Sequence, residues 1–273
     1  MAKAIEGKLM RFCNVLANRS EVANLGGIFV AVKYSRDHEV AYYECDVNQT
    51  MTFPAMIGVA IKTSEEQSDM LNRSADFIHS FGLTWVITNY HFQIERLPKV
   101  GEKIQITTQA MEYNKYFCYR NFWFHDEDGH ELLRIESVFV LMDMKNRKMA
   151  SVPEEIIAPF ESEKIKRIKR FKAITKISAG ESLPYRVRFY DIDSNQHVNN
   201  AMYFNWMIDV LGFDFLTTHV PREVNIRFDK EVEYGNEVMS HFEVIEGSGT
   251  ESRHEIKIGD QLYCEANILW DIK

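Results

Sequence analysis

The alternation of apolar and polar residues predicts a long helix followed by several strands in the first half of the chain. Residues 53–69 carry a proline in the first turn and place Met56, Val59, Ala60 and Thr63 on one face, as in an amphipathic helix. Strands are predicted at residues 39–45, 84–94, 116–125 and 132–142, with another beginning at residue 102. Residues 126–129 end in Asp-Gly, which favours a hairpin.

The second half repeats this order. A strand reaching residue 190 precedes a helix near 198–211, and strands follow at 224–228, 237–244, 253–258 and 262–270. Residues 46–53 align with 191–198 without a gap, and residues 100–104 align with 234–238. A helix laid twice on an antiparallel sheet is an α+β architecture, in which the two sheets could join edge to edge.

These patterns divide the chain into four parts. We expect an N-terminal segment at 1–38, a first module at 39–150, a linker at 151–184 and a second module at 185–273. For the N-terminal segment we favour a packing or extension role over targeting. Within the linker, residues 164–172 are strongly basic and place apolar residues on one face of a helix. We interpret this run as a solvated helix face, with docking of an acidic partner as the alternative.

Composition and charge exclude several classes of protein. The 273 residues are 45% hydrophobic and carry a net charge of −8, which argues against a nucleic-acid binder that acts through its overall field. No apolar run approaches the length of a membrane span. Cys13, Cys45, Cys118 and Cys264 lie far apart without metal or redox spacing, so we expect reduced thiols in a cytoplasmic protein without a metal or cofactor.

Polar chemistry concentrates between residues 190 and 206. Asp193, Asn195 and His197 alternate, so in an extended run they would point to one side, beside the free N–H groups of the following helix. Any one of them alone would more often be a helix cap or a satisfied surface group. Their combination favours an active site.

Residues 191–200, followed by Tyr203 and Trp206, closely resemble the signature of the plant and bacterial acyl-acyl carrier protein thioesterases. Residues 85–90 and 94–101 are similar to family segments in the first half, as is the stretch from Arg147 to residues 153–155. The resemblance covers roughly residues 40–273. It implies a double hotdog fold, in which two tandem helix-wrapped antiparallel sheets form a pseudo-dimer.

The resemblance also implies a catalytic set, formed by Asp193, Asn195, His197 and Glu231. Taken alone, Glu231 could equally be a solvated strand carboxylate, since Asp229 and Glu233 lie beside it. Some plant members have a cysteine directly after this glutamate, but this chain has valine at position 232. The resemblance therefore favours hydrolysis by an activated water over a cysteine nucleophile.

These residue types suit the hydrolysis of a thioester, which needs an activated water and donors aimed at the developing oxyanion. We expect Glu231 to hold and deprotonate the water, with His197 sharing the proton or orienting the water. Asn195 would polarise the carbonyl, and Asp193 would fix the Asn and His side chains. The division of labour between Glu231 and His197 stays open at this stage.

The first copy is expected to lack the imidazole and the acid. In the gapless alignment, Asn48, Thr50 and Thr52 stand opposite the three signature residues. One working site per chain follows, and the first module would shape the acyl pocket. The candidate lining residues are Met56, Ile57, Ala60 and Trp85, for which plain core packing is the alternative.

The expected function is hydrolysis of fatty acyl-acyl carrier protein to a free fatty acid and the carrier. An acyl-coenzyme A thioesterase on the same fold is the first alternative, and a non-catalytic acyl-binding module is the second. A dehydratase or hydratase is less favoured. The expected partner is an acyl carrier protein, without nucleic acid, and the chain would be a monomer or a homodimer.

Overall fold

One continuous sheet organises the molecule. The computed structural model describes residues 31–247 and 249–273. Ten strands lie side by side, all antiparallel to their neighbours, and two short strands pair with this sheet at β5 and β3. In order across the sheet the ten strands are β1 (Lys33–Glu39), β3 (Lys103–Tyr113), β4 (Phe117–His125), β5 (Glu131–Asp143), β2 (Leu83–Ile94), β9 (His219–Phe228), β12 (Gln261–Ile272), β11 (Thr250–Ile258), β10 (Glu237–Glu246) and β8 (Glu181–Arg186). The first five strands of this order come from the first half of the chain and the last five from the second half.

The first module contains the long helix. Its elements are β1 (Lys33–Glu39), α1 (Phe53–Met70), α2 (Ala75–His79), β2 (Leu83–Ile94), β3 (Lys103–Tyr113), β4 (Phe117–His125) and β5 (Glu131–Asp143). Helix α1 follows the predicted period and begins after the capping residue Thr52, whose side chain accepts a hydrogen bond from the Ala55 N–H at 3.4 Å. The helix and the four strands predicted after it are confirmed.

The strand predicted at 39–45 is wrong in position. The strand lies at Lys33–Glu39 and pairs with β3, whereas Tyr42–Glu44 form a short 3-10 helix. The Glu44 carboxylate accepts the Ala41 N–H at 2.8 Å, which stabilises that turn in place of a strand. Six residues of the segment assigned to 1–38 therefore belong to the sheet of the first module. The rest of that assignment, up to residue 30, lies outside the described residues.

The linker is not helical through its basic run. Its elements are α3 (Glu154–Ile157) and β7 (Glu163–Lys164), while the short strand β6 (Met149–Ala150) ends the first module. Residues 165–172 have no regular secondary structure. The Ile165 N–H donates to the Tyr113 carbonyl at 2.8 Å and the Lys169 N–H to the Tyr119 hydroxyl at 2.9 Å. The predicted helix face is wrong because these backbone groups bond to the first sheet instead.

The second module repeats the plan in a shorter form. Its elements are β8 (Glu181–Arg186), α4 (Met202–Asp209), α5 (Phe213–Thr218), β9 (His219–Phe228), β10 (Glu237–Glu246), β11 (Thr250–Ile258) and β12 (Gln261–Ile272). The predicted order is confirmed, although the sequence did not indicate α5. No helix in the described parts of the chain is long and apolar enough to cross a membrane.

The two modules share one sheet and one core. Strand β2 pairs with β9 from Asn89 opposite Arg227 to Gln93 opposite Glu223, so the predicted edge-to-edge joining is confirmed. Helices α1 and α4 meet above this joint, where the Phe53 and Phe204 rings stack with centroids 5.0 Å apart. A single buried cluster draws residues from both modules. The fold is α+β, as predicted.

Candidate functional site

The residues Asp193, Asn195 and His197 form a tight turn rather than an extended run. The Asp193 Oδ1 accepts the Asn195 N–H at 2.8 Å, and the Asp193 N–H donates to the His197 carbonyl at 2.9 Å. Gln196 has a φ of 68°, which completes the turn. The expectation of an extended run with alternating directions is wrong, because the Asp193 side chain closes a local turn.

The helix after the turn begins later than predicted. Helix α4 starts at Met202, and residues 198–201 connect it to the turn. The Val198 N–H donates to the Val232 carbonyl at 3.0 Å. This hydrogen bond joins the signature turn to the connection between β9 and β10, which carries Glu231.

The side chains of His197 and Glu231 lie next to each other. The His197 Nε2 is 3.4 Å from the Glu231 Oε2, and the two side chains are 22% and 36% exposed. The His197 Nδ1 is buried and has no hydrogen-bond partner within the described part of the chain. A carboxylate only accepts hydrogen bonds, so a neutral His197 that donates from Nε2 keeps an unprotonated Nδ1.

The structure adds Arg147, which was not among the predicted site residues. Its Nη2 contacts the same Glu231 Oε2 that faces His197. Arg147 lies in the turn after β5, where it has a φ of 51° and its N–H donates to the Asp143 carbonyl at 2.9 Å. The sequence signal for Arg147 was that the stretch it begins resembles a family segment. The separation of Arg147 from Glu231 along the chain gave no indication that the two side chains meet.

The side chains of Asp193 and Asn195 form no hydrogen bond or ion pair with His197 or Glu231 in the described part of the chain. The Asp193 carboxylate supports the backbone of the turn instead of orienting the imidazole. Asn195 is exposed, and its carboxamide has no hydrogen bond to another described residue. The Asn195 amide is therefore available to a ligand.

The candidate acyl-lining residues fall into two groups. Met56, Ile57 and Ala60 lie on α1 within the shared core, where they are 0%, 4% and 2% exposed. Trp85 is half-buried in the smaller clusters of the first module and packs edge-to-face against Phe139, with ring centroids 6.2 Å apart. The three helical residues therefore lie together, whereas Trp85 packs in different clusters.

The first module contains a turn of the same form as the signature turn. It aligns with the signature two residues away from the alignment predicted from the sequence. The Asn48 N–H donates to the Asp46 Oδ1 at 2.8 Å, and the Asp46 N–H donates to the Thr50 carbonyl at 3.0 Å. Gln49 has a φ of 60°, like its counterpart in the second module. Asp46, Asn48 and Thr50 therefore correspond to the signature residues, and the gapless pairing of Asn48, Thr50 and Thr52 with them is wrong.

The register is fixed by backbone hydrogen bonds that apolar pattern matching does not detect. The Met51 N–H donates to the Pro98 carbonyl at 2.9 Å, as Val198 does to Val232. Pro98 therefore corresponds to Val232, and the residue before it, Leu97, corresponds to Glu231. The first module therefore keeps the aspartate and asparagine of the turn but lacks the imidazole and the glutamate.

No described cysteine is suited to act as a nucleophile at this site. Val232, next to Glu231, is completely buried. Burial raises the pKa of Cys264 well above its ordinary value and the pKa of Cys118 to about 12, which disfavours their thiolates. Cys45 is a free thiol that has its pKa raised by burial and by the carboxylates of Asp46 and Glu44.

Comparison with known proteins identifies relatives of the chain along its length. Residues 31–160 match the acyl-ACP thioesterase N-terminal domain, and residues 174–272 match the acyl-ACP thioesterase C-terminal domain. The chain is 27% identical over 217 residues to the chloroplastic acyl-[acyl-carrier-protein] hydrolase FATB3 of Cuphea viscosissima, covering 73% of this chain and 52% of that protein. The chain thus spans about half the length of the first curated relatives it matches.

Solved structures agree with this relationship. A crystal structure described as a putative oleoyl thioesterase from Lactobacillus plantarum is 38% identical, with a TM-score of 0.86, and the match covers 89% of this chain and 97% of that one. The 12:0-ACP thioesterase from Umbellularia californica is 20% identical, with a TM-score of 0.77, and the match covers 90% and 100% of the two chains. The double hotdog fold is confirmed, and the chain belongs to the acyl-ACP thioesterase family.

Proposed function

We propose that this chain hydrolyses fatty acyl-acyl carrier protein to a free fatty acid and the carrier thiol. The observation that carries the proposal is the contact between His197 and Glu231, 3.4 Å apart on two different elements of the second module. Membership in the family supports the substrate class, since the relative in Cuphea viscosissima is named as an acyl-[acyl-carrier-protein] hydrolase.

In this mechanism the exposed carboxylate of Glu231 is the general base that takes a proton from water. The His197 Nδ1 is buried, so water cannot reach it, and the imidazole faces Glu231 through Nε2 at 3.4 Å. His197 thus orients the Glu231 carboxylate and the water beside it. Arg147 contacts the same oxygen of Glu231 and holds the carboxylate in place.

The water oxygen then forms a bond to the thioester carbon as its proton passes to the Glu231 carboxylate. The Asn195 carboxamide donates to the carbonyl oxygen, where negative charge develops. When the carbon–sulfur bond breaks, the thiolate leaves and receives the proton from Glu231. Asp193 maintains the turn that holds Asn195 and His197, through its hydrogen bond to the Asn195 N–H at 2.8 Å.

A pair of substitutions tests these roles. Glu231→Gln removes the base and should lower kcat by at least about 100-fold. His197→Ala removes only a group that orients this carboxylate, so its loss of kcat should be clearly smaller than that of Glu231→Gln. Hydrolysis is followed with acyl-carrier substrates of varied chain length and a thiol reagent.

The matched control is Glu233→Gln, which removes an exposed carboxylate two residues from Glu231. It should retain nearly full turnover. A loss of kcat in His197→Ala as large as that in Glu231→Gln would contradict the assignment of the base to Glu231 alone. Near-normal turnover in both would overturn the proposed hydrolysis, and fatty-acid binding without any turnover would indicate an acyl-binding module.

The first module is proposed to shape the acyl pocket while the second carries the chemistry. Its turn lacks counterparts of His197 and Glu231, and its longer helix α1 presents Met56, Ile57 and Ala60 to the core shared by both modules. Trp85 is kept as a lining candidate on sequence grounds. Met56→Ala should shift the preferred chain length in the same substrate panel, because it removes volume beside the proposed pocket.

The acyl carrier protein is the proposed partner, with the basic linker as its docking surface. Lys166, Arg167 and Arg170 are exposed there and have no ion pair with another described residue. Complementary charge speeds encounter with an acidic partner.

We also propose a cytoplasmic location, which the free thiols Cys45, Cys118 and Cys264 support. Because the tandem modules already form a dimer-like core, a monomer is proposed ahead of a homodimer.

A further inference from the structure

A cleft of about 1130 Å³ lies where the first-module turn faces helix α4 of the second module. Asp46, Asn48 and Thr50 line it, and these are the counterparts of the signature residues. Strands β2 and β9 pair antiparallel, and the pair His91 and Asn225 lies at the centre of their ladder. This pseudo-twofold symmetry gives the cleft the same position in the first module that the proposed active site has in the second.

The inner surface of the cleft is largely apolar. Four aromatic residues of the lining are no more than 6% exposed, and Leu97 and Leu216 extend this surface. These aromatic residues are Phe53, Phe204, Trp206 and Trp270. Such a surface can remove a hydrocarbon chain from water, which contributes about 0.8 kcal/mol per buried CH₂ group.

Three cations at the rim of the cleft have no ion-pair partner among the described residues. Lys99 and Arg186 are exposed and form no ion pair within the part of the chain that the structure describes. The Lys273 Nζ donates only to neutral acceptors, the Asn48 Oδ1 at 2.6 Å and the Thr217 carbonyl at 2.9 Å. These three cations lie beside an apolar surface and have no carboxylate partner among the described residues, and the lining carboxylates of Asp46, Glu95 and Asp209 have no cation partner either.

The other charged lining residues are largely engaged with partners. Arg96, Arg188 and Arg222 pair with the carboxylates of Glu102, Asp191 and Asp271. Among the acids, the Asp46 Oδ1 accepts the Asn48 N–H and the Asp209 Oδ2 accepts the Tyr185 hydroxyl at 2.7 Å, while Glu95 is exposed. Lys99, Arg186 and Lys273 are thus the cations that remain available to an anionic ligand.

We propose that this cleft binds a free long-chain fatty carboxylate, with the chain along the aromatic surface and the headgroup near Lys99 and Arg186. The ligand is bound without turnover because Thr50 and Leu97 stand where the second module has His197 and Glu231. Binding here does not depend on the proposed hydrolysis, since no residue of the second-module turn takes part.

Photoaffinity labelling of the full chain with a diazirine-bearing palmitate, followed by peptide mapping, tests the proposal. Labels are expected on residues 51–54 and 204–209, and unlabelled palmitate should compete. Hexadecanol has the chain without the charge, so it should compete at least about fivefold more weakly. Coenzyme A carries phosphates without a long chain and should not compete.

The double variant Lys99→Glu/Arg186→Glu should weaken labelling of the cleft at least about fivefold, because it reverses the rim charge. The matched control Lys103→Glu/Lys115→Glu changes the net charge equally at exposed positions outside the cleft and should leave labelling unchanged. Labelling confined to the neighbourhood of His197, labelling that charge reversal does not alter, or equal competition by hexadecanol or coenzyme A would overturn the proposal. Loss of hydrolysis in His197→Ala with cleft labelling intact would separate the two sites.

Discussion

At the scale of single residues, Glu231 places one carboxylate oxygen between two side chains from distant parts of the chain. His197 comes from the signature turn and Arg147 from the turn after β5. A carboxylate held from both sides has less freedom to rotate away from the imidazole. Arg147 is therefore a positioning residue in the proposed mechanism, since it holds the Glu231 carboxylate.

Arg147→Ala should lower kcat by about 10- to 100-fold with a smaller change in KM, because misplacing a proposed catalytic group by about 1 Å can have an effect of this size. Arg147→Lys should recover part of the loss, since an ammonium can reach the same oxygen without the planar fork. Steady-state kinetics and the pH–rate profile of the three proteins provide the measurement.

Lys145→Ala is the control for Arg147, since it removes an exposed cation from the same turn. It should leave kcat unchanged. A rise in KM alone for Arg147→Ala, or an equal loss of kcat in Lys145→Ala, would contradict the positioning role and indicate a contribution to carrier binding instead.

At the scale of elements, the joint between β2 and β9 holds a histidine between two carboxylates. The His91 Nδ1 is 3.2 Å from the Glu136 Oε2 on β5, and its Nε2 is 3.0 Å from the Glu223 Oε1 on β9. Hydrogen bonds to Glu136 and then to Glu223 raise the pKa of His91, against the opposing effect of burial. Protonated His91 thus links strands of both modules.

His91→Gln should destabilise the protein more at about pH 6 than at about pH 9. The folded-state pKa of His91 is raised above 6.5, so the stabilisation is complete below that value and is lost as pH rises through the folded-state pKa. Urea unfolding of both proteins at the two pH values gives the difference in free energy of unfolding.

The groups that face His91 set the limits of this experiment. They are Glu136, Glu223, the Phe171 ring at 5.9 Å and Lys172, which lies 3.7 Å from Glu223. The hydrogen bond to His91 lowers the pKa of Glu136, so this carboxylate stays ionised at about pH 6. A difference that grows with pH, or that does not change with pH, would contradict the assignment of a stabilising charged His91.

At the scale of the whole molecule, one sheet and one core unite the modules. Phe53 of the first module packs on both Phe92 and Phe204, with centroid distances of 5.3 and 5.0 Å. Neither module can separate from the other without exposing these rings and breaking the β2–β9 ladder. The chain should therefore unfold as one unit.

The four tryptophans allow this to be measured, since Trp85 and Trp123 report on the first module and Trp206 and Trp270 on the second. We consider two variants, in each of which both tryptophans of one module are replaced by phenylalanine. In each variant, the midpoint of urea unfolding measured by fluorescence should coincide with the midpoint measured by circular dichroism. Separate midpoints, with one module unfolding first, would contradict a shared core.

The charge distribution of the whole molecule predicts a salt effect. The net charge of −8 repels an acidic carrier, so docking should depend on the local basic linker. High salt should raise KM for the carrier-bound substrate and leave KM for a small carrier-free thioester unchanged. Lys166→Gln/Arg170→Gln should remove most of the salt dependence. An equal salt effect on both substrates would contradict electrostatic docking.

The sequence alone was enough to predict the elements whose burial is periodic. Helix α1 and strands β2 to β5 could be located from the spacing of their apolar residues and from the turn residues between them. The candidate site residues Asp193, Asn195, His197 and Glu231 were proposed through the family resemblance. Their contact was not, because 34 residues of chain separate His197 from Glu231.

Only the tertiary structure decided the features that depend on contacts distant in sequence or on backbone hydrogen bonds. The signature is a turn because Asp193 caps its own backbone, and the basic linker is irregular because Tyr113 and Tyr119 take its backbone hydrogen bonds. Arg147 meets Glu231 across 84 residues. Side-chain periodicity reports which face of an element is buried, but it carries no information about which distant group will satisfy a given hydrogen bond or charge.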